Sequence, residues 1–210
     1  MIDSYLTAAA YGEAEYVDKK SRFIGHVQPV KDEAEAKAFL EDIRALHADA
    51  THNVWAYVLR NGVMRWSDDG EPGGTSGQPT LNVFRSENVV DVCCVTTRYF
   101  GGILLGSGGL VRAYSAAARA GLDAAGVARM EPWQRCALRC SYAQYEILKR
   151  FLSDRGARVE ETSFGADVEI LYTAAQGLSE GLARSIYDKT AGTVEPIPGE
   201  TVFRPVLVER

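Results

Sequence analysis

The stretch TTRYFGGILLGSGGLVRAYS, Thr96 to Ser115, leaves a β-branched apolar run, crosses five glycines and enters residues that favour helix. Upstream, NVVDVCCVTTRYF (Asn88 to Phe100) has an almost unbroken apolar centre, the pattern of a buried central strand. Downstream, Leu110 to Ala125 is rich in alanine and stops at Gly126, a residue suited to the left-handed turn that ends a helix. Strand, glycine turn and helix together make one unit of an α/β domain.

Working toward the N-terminus, SRFIGHVQPV (Ser21 to Val30) alternates as a half-buried strand and ends at a proline. Lys31 to Ala48 is predicted helical: Asp32 or its neighbour caps it, and Ala36, Phe39, Leu40, Ile43 and Leu46 share one apolar face. His52 to Leu59 and Val63 to Trp66 flank Arg60-Asn61-Gly62, a hairpin signal. Next comes an acidic glycine segment, SDDGEPGGTSGQP (Ser67 to Pro79), where Thr75 or Ser76 is placed to cap a short helix running toward Phe84. Toward the C-terminus, composition shifts across Gly126 to Cys136, which contains Pro132, and the expected domains are residues 1–130 and 131–210. The second reads as strand, helix, strand, strand, helix, strand, the order of a ferredoxin-like sandwich. The expected class is therefore α/β (α+β).

The 210 residues, 46% apolar and 24% charged, are those of an ordinary globular protein. No apolar run is long enough to span a bilayer, and the opening MIDSYLTAAAYGEAEY lacks the basic start of a signal peptide. A cytoplasmic protein without a membrane partner is expected. The net charge is -5: residues 1–133 hold 13 Lys/Arg against 17 Asp/Glu, and residues 134–210 hold 10 against 11. Neither half is basic, so contact with a nucleic-acid phosphate has to come from a local patch. Cys93 and Cys94 point to opposite faces of their strand, and with Cys136 and Cys140 they read as small buried hydrophobes. No metal centre or cofactor is expected.

The two glycine segments each support two readings. Backbone N–H groups around Gly101, Gly102, Gly106 and Gly108, together with Arg98 and Arg112, are suited to an anion, because glycine allows close approach and guanidinium recognises carboxylate or phosphate. Neither the P-loop nor the dinucleotide fingerprint fits the spacing; the loop of galactokinase-type small-molecule kinases is similar only loosely. The rival reading is a tight connection that binds nothing. In the acidic segment, Asp68, Asp69 and Glu71 around Gly70 either hold one magnesium with a ligand phosphate or form a self-capped turn. His52 is either a general base or a loop hydrogen-bonding group.

SRFI, ATHNVWAY, SDDGEPGGTSGQP and above all VTTRYFGGILLGSGGLVRAYS resemble the IMPACT (YigZ-like) family, over about Gly12 to Gly126. The C-terminal part resembles the small domain that bacterial members append, similar to the last domain of elongation factor G. The resemblance implies an N-terminal domain like the second domain of ribosomal protein S-five. It also implies a link to translation, since eukaryotic members regulate it, and it supplies no catalytic residue. The leading expectation is a non-enzymatic binding protein contacting the ribosome, RNA or a translation factor through Asp68, Asp69, Gly70, Glu71, Arg98, Gly101, Gly102, Gly106, Gly108 and Arg112, with His52 nearby. The competing one is an enzyme acting on a phosphorylated or anionic small molecule with magnesium, in which His52 shuttles a proton.

Overall fold

Burial on both sides makes a strand central, and Val92–Tyr99 is that strand: all of its residues but the last are buried. The computed structural model describes residues 4–208. By its internal contacts the chain divides into two units: Tyr5–Arg129, which takes up the end of the chain from Pro205, and Met130–Arg204.

In the first unit the chain runs through β1 (Tyr5–Ala8), β2 (Gly12–Asp18), β3 (Ser21–Pro29), α1 (Glu33–Leu46), β4 (His52–Val58), β5 (Met64–Ser67), α2 (Gly77–Ser86), β6 (Val92–Tyr99) and α3 (Ser107–Ala125). The antiparallel sheet has the order β2-β3-β6-β4-β5. Cys93 and Cys94 of β6 do face opposite ways. Cys93 packs with Phe39, Leu40 and Ile43 of α1, and Cys94 with Leu81 and Phe84 of α2 and Leu122 of α3. Burial pushes the Cys94 thiol up to about 12 and raises Cys93 as well.

Local chemistry explains the helix ends. The Asp32 carboxylate accepts from the Ala34 and Glu35 N–H groups, so α1 begins at Glu33. Gly126 ends α3 with φ of 69°, in the left-handed region. Leu46 departs from expectation: it is 69% exposed in the last turn of α1, and the buried face of the helix stops at Ile43. The residues ahead of β3, given no element from sequence, form β1 and β2. An edge strand such as β2 alternates acid with apolar residue, a pattern weaker than that of the core strands. α3 lies directly on the backbone of β3: a Cβ at Gly25 would meet the Ala117 carbonyl oxygen at 2.1 Å, and one at Gly121 would meet the Gly25 oxygen at 2.7 Å. Two side-chain-free positions make that approach possible.

The second unit contains most of β7 (Val127–Cys140), then α4 (Tyr142–Asp154), β8 (Arg158–Phe164), β9 (Val168–Ala175), α5 (Gln176–Lys189) and most of β10 (Ile197–Leu207). The strand order β10-β7-β9-β8 is the split-βαβ arrangement the sequence predicts. Leu148 and Leu152 of α4 and Leu182 and Ile186 of α5 form one core with Leu138, Ile170 and Tyr172 of the sheet. β7 starts well before the predicted strand, because Pro132 lies within it rather than ending it.

Candidate functional site

Three carboxylates within four residues repel one another unless each finds separate donors, and the acidic loop supplies those donors. Asp68 Oδ2 accepts from the Gly74 N–H (2.8 Å), and Oδ1 accepts from the Ser76 N–H (3.1 Å), the Ser76 hydroxyl (2.7 Å) and the Gly77 N–H (2.8 Å). Asp68 is therefore the cap of α2. Ser76 stands at the N-cap position, one of the two expected there, but its side chain makes no cap bond of its own and the Asp68 carboxylate does that work. Burial alone pushes the Asp68 carboxyl up, but the hydrogen bonds from Gly74, Ser76 and Gly77 outweigh it and hold it below the usual carboxylate range.

Asp69 turns to the neighbouring hairpin. Its Oδ2 accepts from the Asn53 N–H at 2.7 Å, its Oδ1 from Arg44 at 3.1 Å, and its carbonyl from His52 Nδ1–H at 2.7 Å. That last bond places a proton on His52 Nδ1, since a carbonyl can only accept.

Glu71 goes inward and is 8% exposed. Its Oε1 receives Arg98 Nη1 at 2.5 Å and the Tyr114 hydroxyl at 2.7 Å, and lies 3.9 Å from His52 Nε2. Burial first, then the hydrogen bond to Glu71, raises the Tyr114 phenol far above its ordinary range. Strand β6, helix α3 and the acidic loop are thus tied at one carboxylate oxygen. The Arg98 guanidinium sits 5.2 Å from the Phe23 ring centre and 5.5 Å from that of Phe100.

Above this network opens a cleft of about 380 Å³. Thr51, His52, Gly70, Glu71 and Arg98 contribute its polar part; Pro72, Phe100, Leu104, Leu105 and Leu110 contribute its apolar part; Gly106 and Ser107 complete it. A somewhat larger hollow in the second unit, about 440 Å³ and lined by Arg155, Gly177 and Leu178 among others, gathers one cation and no buried charge pair. By convergence of polar groups the first cleft is the stronger site.

Of the residues singled out from sequence, His52, Gly70, Glu71, Arg98 and Gly106 meet in the cleft. Asp68 and Asp69 lie behind it, engaged as described. Gly101 packs where a Cβ would meet the Lys20 backbone at 2.1 Å. Gly102, at φ of 81°, has open space around it, and Gly108 is exposed in the first turn of α3. Arg112 is exposed and does not line the cleft; the two arginines do not form a clamp. Sequence reasoning missed Tyr114 and Ser21. Tyr114 was recoverable from helical period, since Leu110, Ala113, Tyr114 and Ala117 share a buried face. Ser21, which receives Arg98 Nη2 at 3.4 Å and the Gly101 N–H at 3.1 Å, carries no local signal.

The family model for the Impact N-terminal domain matches residues 19–122, and that for a domain of unknown function (DUF1949) matches residues 138–193. IMPACT family member YvyE of Bacillus subtilis (strain 168) is 34% identical over 205 residues, covering 97% of this chain and 94% of the relative. The chain belongs to the IMPACT family. IMPACT family member YigZ of Escherichia coli (strain K12) is 35% identical over 171 residues, 80% of this chain and 84% of its own. Protein IMPACT of Xenopus laevis is 34% identical over 96 residues, 42% of this chain and 30% of the frog protein. A crystal structure described as that of a hypothetical protein superposes with a TM-score of 0.62 at 31% identity, covering 95% of this chain and 99% of the other. Each cleft residue falls by number inside the matched Impact N-terminal domain. Among the described residues of this IMPACT family member, no helix is long and apolar enough to cross a membrane, and no group of three or more His, Cys, Asp or Glu is placed to hold a metal ion.

Proposed function

We propose that this IMPACT family member is a non-enzymatic, cytoplasmic binding protein linked to translation, which docks on the ribosome, its RNA or a translation factor through the cleft and the loop beside it. The observation that carries the reading is the loop itself. Phe100, Ile103 and Leu104 are 46%, 43% and 81% exposed, next to a cleft with a charged, hydrogen-bonded floor. Clustered exposed apolar side chains beside a concave polar site mark contact surfaces. The exposed Lys19 and Lys20, whose turn touches Gly101, add a local basic patch to a chain of net charge -5, as phosphate contact in an acidic protein requires. The resemblance to a family whose eukaryotic members regulate translation supports the same direction.

The magnesium-dependent enzyme gains no support from the acidic loop, because Asp68 and Asp69 are both engaged by protein donors. The docking reading is tested by co-sedimentation with purified ribosomes at low salt. Wild type is expected in the pellet, and Leu104→Glu, folded with an unchanged melting temperature, in the supernatant. Wild type remaining in the supernatant at low salt overturns the proposal.

A further inference from the structure

The turn between β2 and β3 breaks a local rule. Asp18 pairs with Ser21 across it, so Lys19 and Lys20 are the central residues of a two-residue hairpin turn, and both have left-handed backbone, with φ of 44° and 67°. Turns of that kind favour Asn-Gly, because a side chain there costs stability. Both lysines are exposed, and among the described residues neither side chain has an ion-pair or hydrogen-bond partner. Nothing in the fold calls for lysine at either position. Residues that break a local rule without a structural return mark a contact made outside the chain.

The turn does not stand alone. Ser21 Oγ accepts from the Gly101 N–H at 3.1 Å, and a Cβ on Gly101 would meet the Lys20 backbone at 2.1 Å. The turn is thereby fixed against one end of the loop that carries Phe100, Ile103 and Leu104. At the other end Arg112 reaches back over Gly108, its Nη1 3.7 Å from where a Cβ would stand, and it has no ion-pair partner among the described residues. The neighbouring cations are already paired: Arg22 donates to Glu15 at 2.7 Å, and Arg98 donates to Glu71. Against Lys19, Lys20 and Arg112 the turn sets one carboxylate, Asp18.

An exposed apolar loop bordered by unpaired cations calls for an occupant that answers both. RNA answers the cations but gives Ile103 and Leu104 no apolar counterpart, and Arg98 already lies over the Phe100 ring at 5.5 Å, leaving less of it for base stacking. A second copy of the chain would set the same cations against each other across a two-fold axis. A bilayer is flat, and leaves unfilled the cleft of about 380 Å³ beside the loop, whose apolar wall includes Leu104, Leu105 and Leu110. A protein segment fills it with one large side chain. We infer that this surface docks an acidic amphipathic segment of a protein partner, with an apolar side chain in the cleft and carboxylates toward Lys19, Lys20 and Arg112. The inference rests on the docking reading above and chooses among the partners named there: protein rather than RNA.

The test uses the full chain and measures the fluorescence anisotropy of a labelled synthetic peptide carrying Asp and Glu on one helical face and Leu and Phe on the other. Comparison probes are the same peptide with Lys for its acids, the same peptide with Ser for Leu and Phe, a labelled oligouridine, and vesicles of phosphatidylglycerol and phosphatidylcholine. The acidic amphipathic peptide is expected to bind, with its Lys and Ser forms about tenfold weaker or more. Lys19→Asn combined with Lys20→Gly replaces the cations by the pair that the turn favours. It is expected to raise the melting temperature by roughly 2–4 °C while weakening the peptide about tenfold. A merely structural turn would show the first change without the second. Leu104→Ser is expected to weaken the peptide about tenfold as well.

The inference is overturned if the acidic peptide does not bind, if the oligouridine or the vesicles bind more tightly than it does, if either variant binds it like wild type, or if the turn variant melts lower than wild type. Ribosome co-sedimentation of the same preparations separates the two proposals. Pelleting without peptide binding removes only this inference, and peptide binding without pelleting removes only the docking on ribosomes.

Discussion

Arg98 donates to Glu71 across 2.5 Å, with both side chains almost wholly buried, joining the central strand to a loop 27 positions earlier in the chain. The pair shares its carboxylate oxygen with Tyr114, so three separate segments depend on one buried charge.

Glu71→Gln removes that charge and leaves the guanidinium buried without a counter-ion. A loss of about 3–5 kcal/mol is expected in urea denaturation. The double variant Glu71→Gln, Arg98→Met takes away both charges and is expected to recover more than half of it. A single variant as stable as wild type would show that the network does not hold these segments together.

Asp68 caps α2 from outside the helix, and Asp68→Ala is expected to cost roughly 1–2 kcal/mol. The sign with pH follows from the depressed carboxyl: its contribution is complete above the unfolded value of about 4 and is lost as pH falls through the folded value. Denaturation curves measured between pH 5 and pH 2 by roughly one-unit steps should show a steeper acid loss in wild type than in Asp68→Asn.

His26 is fully buried in β3. Tyr11 lies at 3.0 Å from its Nδ1, Glu13 at 3.5 Å, and the His47 ring centre at 5.0 Å. Burial lowers its pKa to about 4, opposed by Glu13 and assisted by His47. The folded state therefore holds it neutral. Stability is intact above the unfolded value of about 6.5 and declines from there until pH reaches about 4, by roughly 3 kcal/mol for this group. His26→Gln, which does not titrate, is expected to flatten that part of the stability profile.

Two glycines that look alike in sequence should behave differently. Gly25→Ala drives a methyl group into the Ala117 carbonyl of α3 and is expected to cost about 3 kcal/mol or more. Gly102→Ala meets open space and pays only for its left-handed backbone, about 1–2 kcal/mol. Equal melting temperatures for the two variants would contradict the close packing of α3 on β3.

Most of the fold was legible because its signals are local. The apolar centre of β6, the Asp32 cap and the glycine stop at Gly126 each lie within a few residues of what they determine. The same holds for the alternation of strands and helices after Cys136. The site was legible by residue type and only partly by arrangement. Arg98 and Glu71 stood out as charges among glycines, but nothing near either one in sequence says that they neutralise each other. The acidic segment reads either as a magnesium site or as a self-capped turn; the amides of Gly74 and Gly77, six and nine positions on from Asp68, make it the turn. Arg112 shares the loop's sequence neighbourhood but is exposed on α3, outside the cleft lining.

The close seating of α3 on β3 at Gly121 has a reach beyond packing. Gly121 and Ser107 belong to one unbroken helix and are separated by about 21 Å at 1.5 Å per residue. A rigid rod pinned at its far end transmits any tilt to its tip, amplified. Bulk added at Gly121 is therefore expected to be felt at Ser107, on the rim of the cleft, without altering a single lining residue.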